Sequence, residues 1–366
     1  MTIVEAKKML GIREDQIWLL KAALFAPPEA HHYWMLWKRH WQLENVTKEE
    51  AKYTVFINID GDSQRILPLI YRNLEHTQDP LLPALRDAYR NTWMRNQKLL
   101  HRAQKVIQTC NEAGISTMLL KGIPMSLHYY KDIGVRPMGD VDILVPWEEL
   151  EPAIEILKKF GNNPDPIEFK YKHLIHAVHC FDEGGIDIDL HWHAFFFQYY
   201  TDECVLKKSE FRQTFALTGS DQTFILSDSF QLFHTIIHGT IGGIPSIRWI
   251  PDAFTILKTS NSIDFKAIIK YAEERNVQFA LHVGLLFLSN QFGFDFIVPE
   301  LNNQSKTQKL YLKLSIKKPE NLLSFAVIGV ARNILTYYLF IKNASNSYRL
   351  GQWISQKIVF RYKMRS

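Results

Sequence analysis

A change of hydrophobic pattern between residues 112 and 195 constrains the fold of this chain more than any other feature. Gly114 ends a helical pattern, and apolar runs too short for ordinary helices follow it. These runs predict strands at 115–120, 141–145, 173–181 and 186–192, with helices at 122–131 and 147–160. The resulting order, β-α-β-α-β-β, predicts an α+β fold with a small mixed β-sheet.

The segments on either side of this core have mainly helical patterns. A long amphipathic helix is predicted at 82–111, and the pattern becomes helical again beyond residue 201. We therefore predict three regions, which are a helical N-terminal region at 1–111, the α/β core at 112–200 and a helical C-terminal region at 201–366.

The composition places the chain among globular proteins and excludes several other classes. Of its 366 residues 46% are hydrophobic and 22% are charged, which excludes a disordered or low-complexity chain. Three cysteines, Cys110, Cys180 and Cys204, are too few for a disulfide framework and show no CxxC pairing. Charged residues interrupt the apolar content of the first thirty residues, so no secretory signal is expected there. We expect a cytoplasmic protein.

The Asp140-Val141-Asp142 sequence is the strongest candidate for chemistry. Side chains alternate between the two faces of a strand, so Asp140 and Asp142 are expected on one face, with Cα atoms about 6.5–7 Å apart. Their apolar neighbours predict that the strand is half-buried, with the acids on its other face. Two carboxylates in this arrangement repel each other, and a shared divalent cation would offset that repulsion.

A second acidic strand supplies further candidate ligands. Asp187, Asp189 and His191 alternate onto one face of the strand predicted at 186–192. If this strand pairs beside the strand of Asp142, the site contains three or four carboxylates. Hard oxygen ligands of this kind favour Mg²⁺ or Mn²⁺, and the carboxylates are numerous enough for two ions.

A candidate phosphate-binding segment precedes the acids. Lys121-Gly122 lies where a strand is expected to turn into a helix, so a phosphate could approach backbone N–H groups and a positive charge. Arg136 lies four residues before Asp140 and is a candidate for a bidentate phosphate contact. Gly139, next to Asp140, completes this set of candidate nucleotide-binding residues.

The order and spacing of these motifs resemble the uncharacterised nucleotidyltransferase family of the DNA polymerase β-like superfamily. The resemblance is carried by LLKG at 119–122, by Tyr129 and Tyr130, by the R-P-x-x-D-x-D-x-L-V pattern at 136–145, and by D-L-H-W at 189–192. It implies a nucleotidyltransferase core that transfers a nucleoside monophosphate from an NTP such as ATP and releases pyrophosphate.

The resemblance also assigns roles to individual residues. It implies that Asp140, Asp142 and Asp189 are the metal-binding and catalytic carboxylates, with Asp187 and His191 as supporting residues around them. One departure concerns the phosphate-binding turn. Much of the superfamily has Gly-Ser there, whereas this chain has Gly122 followed by isoleucine and proline, with Ser126 nearby. Phosphate binding would then depend more on Lys121, on Arg136 and on backbone amides.

Two other function classes remain open from the sequence. A zinc hydrolase would use histidines such as His173, His176, His179, His191 and His193. A non-catalytic scaffold of the same fold would bind a cation or a partner in its acidic pocket. The acceptor of the nucleotide is also open, and RNA, a protein hydroxyl and a small molecule are all compatible with the sequence.

The C-terminal sequence raises a separate question about partners. Residues 301–366 contain twelve lysines and arginines but one acid, a net charge of +11. Such a region is compatible with nucleic acid, with a membrane surface or with a solvated face. The apolar run at 321–341 is the membrane candidate, but Arg332 lies near its centre, so a buried helix is expected instead.

Overall fold

The structure is a computed structural model. It describes residues 3–165, 175–195, 197, 204–241, 246–295, 306–316, 328, 331–332 and 334–336. The apolar run at 321–341 lies mostly outside these residues, as does most of the basic C-terminal region. Within the described part, no helix is long and apolar enough to cross a membrane.

The N-terminal region consists of helices, as predicted. They are α1 (Ile3–Leu10), α2 (Glu14–Leu24), α3 (Glu29–His40), α4 (Gly61–Gln64), α5 (Leu67–Leu74) and α6 (Leu82–Glu112). The longest of them, α6, confirms the helix predicted at 82–111.

A mixed sheet lies at the centre of the described structure. Its strands are β1 (Thr117–Leu120), β2 (Val141–Leu144), β3 (Asn163–Pro164), β4 (Ala177–Phe181), β5 (Ile188–His191), β6 (Arg212–Thr214) and β7 (Thr223–Leu226). Their spatial order is β3-β4-β5-β2-β1-β7-β6. Strand β2 is antiparallel to β1 and parallel to β5, and β4 and β5 form the predicted hairpin. The predicted α+β fold is confirmed.

The sheet extends further along the chain than the sequence pattern predicted. Helical patterning was expected beyond residue 201, but β6 and β7 lie there, and β7 pairs in parallel with β1. All four residues of β7 are buried, so its sequence lacks the alternation that marks a half-exposed strand. The expectation of a half-buried β2 was also wrong, because all four of its residues are buried.

Short helices connect the strands, and longer helices follow them. After β1 come α7 (Gly122–Pro124) and a π-helical turn (Met125–Tyr129), and α8 (Leu150–Lys159) follows β2. The C-terminal helices are α9 (Asp228–Ile241), α10 (Trp249–Thr259), α11 (Phe265–Glu274), α12 (Gln278–Phe292) and α13 (Lys306–Ile316).

Two hydrophobic clusters cover the two faces of the sheet. Met118 and Leu120 of β1 belong to one cluster, whereas Leu119 between them belongs to the other. Helix α6 contributes to both, with Leu85 in the first cluster and Leu99 in the second. Strand β2 also contributes to both, with Leu144 in the first cluster and Ile143 in the second, so packing on both sides fixes it.

Candidate metal and nucleotide site

The two acidic strands lie side by side, which is the condition that the predicted cluster of carboxylates requires. In the parallel pairing of β2 with β5, Asp142 is directly opposite Asp189. One carboxylate oxygen of each residue and one ring nitrogen of His191 lie within 4.8 Å of one another. Of the residues that the structure describes, these three form the group with metal-ligand spacing.

Asp140 lies one residue before β2 and is electrostatically coupled to this group. Burial raises the pKa of Asp140, and the charges of Asp142 and Asp189 raise it further. Lys121 and Arg248 offset part of that rise. The three carboxylates predicted as metal ligands therefore share one electrostatic environment, in which negative charge is in excess.

Asp142 is the buried centre of the site. It is 4% exposed, and its Oδ1 accepts a hydrogen bond from Lys121 Nζ at 2.5 Å. His191 Nε2 lies 3.1 Å from the same oxygen. Burial alone would raise the pKa of Asp142, but Lys121 and His191 outweigh it and hold that pKa well below the ordinary value. Asp142 is therefore an anion at neutral pH.

Lys121 reaches Asp142 from an unusual backbone conformation. Its φ is +51°, in the left-handed region, at the junction between β1 and α7. Conformations of this kind in a non-glycine residue cost about 1–3 kcal/mol and cluster at functional sites. Burial lowers the pKa of Lys121, but Asp142, Asp189 and Asp140 raise it by more. The ammonium group thus stays charged beside the carboxylates.

Asp189 is more exposed and has a histidine partner that sequence analysis missed. His179 Nδ1 lies 2.8 Å from Asp189 Oδ1, because the two residues face each other across the β4–β5 hairpin. Burial would lower the pKa of His179, but Asp189 and Asp187 raise it above the ordinary value. Asp187 also accepts a hydrogen bond from the backbone N–H of Asp182 at 3.1 Å, so it stabilises the hairpin turn.

Several histidines lie behind the buried carboxylate. A cavity of about 30 Å³, room for about one water molecule, is lined by Lys121, His176, His191, His234 and His238 among others. Burial holds the pKa values of His176 and His234 well below ordinary. Sequence analysis missed the α9 pair, although the spacing of His234 and His238 places both on one helix face.

Among the residues that the structure describes, the histidines do not form the ligand set that the zinc alternative requires. His179 is exposed on the hairpin, whereas His176 is half-buried, with its ring 5.5 Å from that of His191. His173 lies outside the described residues. Within the described part, the group with metal-ligand spacing contains one histidine and two carboxylates. This donor set suits Mg²⁺ or Mn²⁺ better than a histidine-rich zinc site.

The predicted phosphate-binding segment is tightly packed. A Cβ atom on Gly122 would lie 2.6 Å from Met138 Sδ and 3.4 Å from Arg136 Nη1, so a side chain here would force Met138 to move. Gly139 is exposed, and an added Cβ there would meet no atom within 4 Å. Its carbonyl accepts a hydrogen bond from Arg95 Nη2 at 2.9 Å.

Arg136 already has a carboxylate partner. Its Nε and Nη2 bind Asp252 of α10 at about 2.9–3.0 Å, and both residues are largely buried. Tyr130 donates a hydrogen bond to Asp252 at 3.1 Å. The bidentate face of Arg136 is thus occupied, and it is Nη1 that lies near Gly122.

An asparagine that sequence analysis missed fixes the loop before Asp140. Asn96 of α6 is fully buried, and its Nδ2 donates to the carbonyls of Ile133 at 2.6 Å and Arg136 at 2.8 Å. Its Oδ1 accepts from the backbone N–H of Met138 at 3.2 Å. These three bonds position the approach to the acidic strand.

Comparison of the sequence with models of protein families found a match that covers this site. A model described as an uncharacterised nucleotidyltransferase matches residues 61–293. The chain belongs to this uncharacterised nucleotidyltransferase family. The match runs from α4 to just beyond α12 and includes every candidate site residue named above. Comparisons with curated proteins and with solved structures found no match.

Proposed function

We propose that this protein is a metal-dependent nucleotidyltransferase that transfers a nucleoside monophosphate from an NTP to an acceptor hydroxyl and releases pyrophosphate. The observation that carries the proposal is the register of β2 and β5, which sets Asp142 opposite Asp189 within a matched nucleotidyltransferase family. ATP is the first donor to test. RNA, a protein and a small molecule remain candidate acceptors.

The donor atoms fit a divalent cation. The carboxylates of Asp142 and Asp189 converge within 4.8 Å, and burial together with their negative charges raises the pKa of the nearby Asp140. We assign Asp140, Asp142 and Asp189 as ligands of two Mg²⁺ or Mn²⁺ ions. Such ions neutralise phosphate charge and lower the pKa of a bound hydroxyl. His191, bonded to Asp142, holds that carboxylate in place, and Asp187 supports the adjacent turn.

The other candidate site residues bind and orient the donor NTP. Lys121 brings a positive charge to the carboxylate edge, where a triphosphate is expected. Gly122 leaves space for a phosphate to approach the backbone, and Arg136 Nη1 lies beside it. Asp252 orients the Arg136 guanidinium by holding its other two nitrogens. Together with Gly139 these residues form the proposed nucleotide-binding set.

We also propose that the protein acts in the cytoplasm. Cys110, Cys180 and Cys204 are all free thiols, and the first two are buried. Burial raises the pKa of Cys110 and of Cys180 to about 12, which keeps them as inert thiols. Three unpaired cysteines are typical of a protein from a reducing compartment.

The test is transfer of label from α-labelled ATP, GTP, CTP and UTP into RNA, protein and small-molecule fractions of a cell lysate. We expect label that depends on Mg²⁺ or Mn²⁺ and that is lost in Asp142→Asn. The matched control is Asp221→Asn, which removes the same charge from an exposed position. Equal labelling by wild type and Asp142→Asn would refute the proposal. No labelling and no metal-dependent nucleotide binding would favour a non-catalytic scaffold.

A further inference from the structure

A cleft beside the acidic site has no role in the function proposed so far. Its volume is about 370 Å³, within the range of small-molecule pockets. Pro137, in the loop that leads to Asp140, forms one wall, and helices α4 to α6 form the others. Its polar lining side chains are Gln64, Arg65, Asn91, Thr92, Arg95 and Asn96.

The residues just before α10 contact α4, which forms one wall of this cleft. Ser246 Oγ donates a hydrogen bond to Asp62 Oδ1 of α4 at 3.0 Å. The backbone N–H of Arg248 donates to Ser246 Oγ at 3.3 Å. These bonds place Arg248, the residue before α10, next to the end of α4 and therefore near Arg65.

In the described part of the chain, the side chain of Arg248 differs from those of Arg136 and Arg95 because no hydrogen bond or ion pair holds it. Arg136 binds Asp252, and Arg95 binds the carbonyls of Met138 and Gly139. The Nε atom of Arg248 is buried and has no hydrogen-bond partner among the described residues. Arg65 is exposed, and no ion pair joins it to the described part of the chain.

Burial and neighbouring positive charges outweigh the anions around Arg248. Burial lowers the pKa of Arg248, and the charges of Arg136 and Arg65 lower it further, while Asp252 and Asp62 offset only part of this. A guanidinium remains charged in spite of such a shift. Positive charges held close together without an ion-pair partner repel each other, and a bound anion would relieve that repulsion.

We infer that Arg65 and Arg248 form a phosphate-binding subsite at the mouth of this cleft, next to Asp140. The ligand class is a phosphate-bearing compound, because the guanidinium forks match phosphate oxygens in geometry and charge. The phosphate belongs either to the donor triphosphate or to a phosphorylated acceptor seated in the cleft. The biological role of this subsite rests on the proposed nucleotidyl transfer. Anion binding at the subsite can be tested independently of that transfer.

The first experiment is calorimetric titration of the full chain with tripolyphosphate in the presence of EDTA, so that no divalent metal takes part. We expect Arg248→Gln and Arg65→Gln each to weaken binding by at least about tenfold, the loss typical of one charge-assisted hydrogen bond. The control is Arg86→Gln, which removes an exposed arginine of α6 outside the cleft lining and should stay within about twofold.

A second titration identifies the source of the phosphate. Inorganic phosphate is added to the chain in the presence of Mg²⁺ and a saturating non-hydrolysable ATP analogue. Phosphate binding that persists, and that Arg248→Gln weakens, would assign the subsite to a phosphorylated acceptor. Phosphate binding that the analogue abolishes would assign it to the donor triphosphate. Either result supports the inference.

The inference would be overturned by two results. One is a wild-type chain that binds no tripolyphosphate, and the other is equal binding by wild type and both cleft variants. Arg65 is exposed, so its variant tests the inference even if Arg248→Gln unfolds the protein. Neither result would affect the labelling experiment, because label transfer by the wild type would still support nucleotidyl transfer.

Discussion

At the scale of single residues, the site depends on how Asp142 is buried. A buried carboxylate is costly unless charged or polar partners compensate it, and here Lys121 and His191 both contact the same oxygen. The ion pair has a functional consequence. Because Lys121 keeps Asp142 ionised, the carboxylate is available to a cation at neutral pH.

This burial predicts a pH-dependent contribution to stability. Asp142→Asn should lower the free energy of unfolding by about 3 kcal/mol at pH 7, because it leaves the half-buried Lys121 without its ion-pair partner. The pKa of Asp142 is lower in the folded than in the unfolded state, so its contribution is present above about pH 4 and is lost as the pH falls further.

Urea unfolding of wild type and Asp142→Asn at pH 7 and pH 3 measures this effect. The difference between the two proteins should shrink at pH 3. Asp221→Asn, an exposed control, should differ from wild type by less than about 0.5 kcal/mol at both values. A stability difference that stays constant with pH would show that the pKa of Asp142 is not lowered in the folded protein.

Residue-scale features differ in how well the sequence predicts them. The pairing of Asp142 with Asp189 follows from strand alternation and from the order of the motifs, and the structure brings the two together. The contact of Arg136 with Asp252 joins residues 116 positions apart, and no local pattern indicates it. His179 could have been found as the partner of Asp189, but only once the hairpin register was known.

At the scale of elements, the junction between β1 and the short α7 helix is tightly packed. Lys121 adopts a left-handed conformation there, and Gly122 packs against Met138 in the loop before β2. The two segments that carry the candidate phosphate-binding residues thus touch at one glycine. A side chain at that glycine would separate them.

Gly122→Ala should therefore destabilise the protein by about 1–3 kcal/mol, the usual cost of overpacking, and should weaken ATP binding. The matched control for stability is Gly139→Ala, because a Cβ at Gly139 meets no atom within 4 Å and its φ is not left-handed. Urea unfolding of both variants, and nucleotide titration of Gly122→Ala against the wild type, provide the measurements. Equal stability of the two variants would contradict the close packing at Gly122.

The strands show why element prediction succeeded in one part of the chain and failed in another. The β4–β5 hairpin has its own turn sequence, and it was predicted. Strand β7 is short and buried, and it pairs with β1, which lies about a hundred residues earlier. Its strand character depends on that distant partner, which a local pattern does not contain.

At the scale of the whole molecule, the α/β core and the helices around it form one site. Arg136 precedes β2, whereas Asp252, which holds it, lies on α10 in the region predicted as C-terminal. Asn96 of α6 fixes the same loop from the N-terminal side. The division at residues 111 and 200 remains a prediction, and the site draws residues from all three segments.

The central claim is that Asp189, opposite Asp142, is a metal ligand. Asp187 provides a close control, because it lies two residues earlier, carries the same charge and supports the hairpin turn. Binding of Mn²⁺ to the full chain, followed by electron paramagnetic resonance, compares Asp189→Asn with Asp187→Asn. We predict a loss of affinity of more than about tenfold for Asp189→Asn and near wild-type affinity for Asp187→Asn. Equal affinities in wild type and Asp189→Asn would contradict the claim.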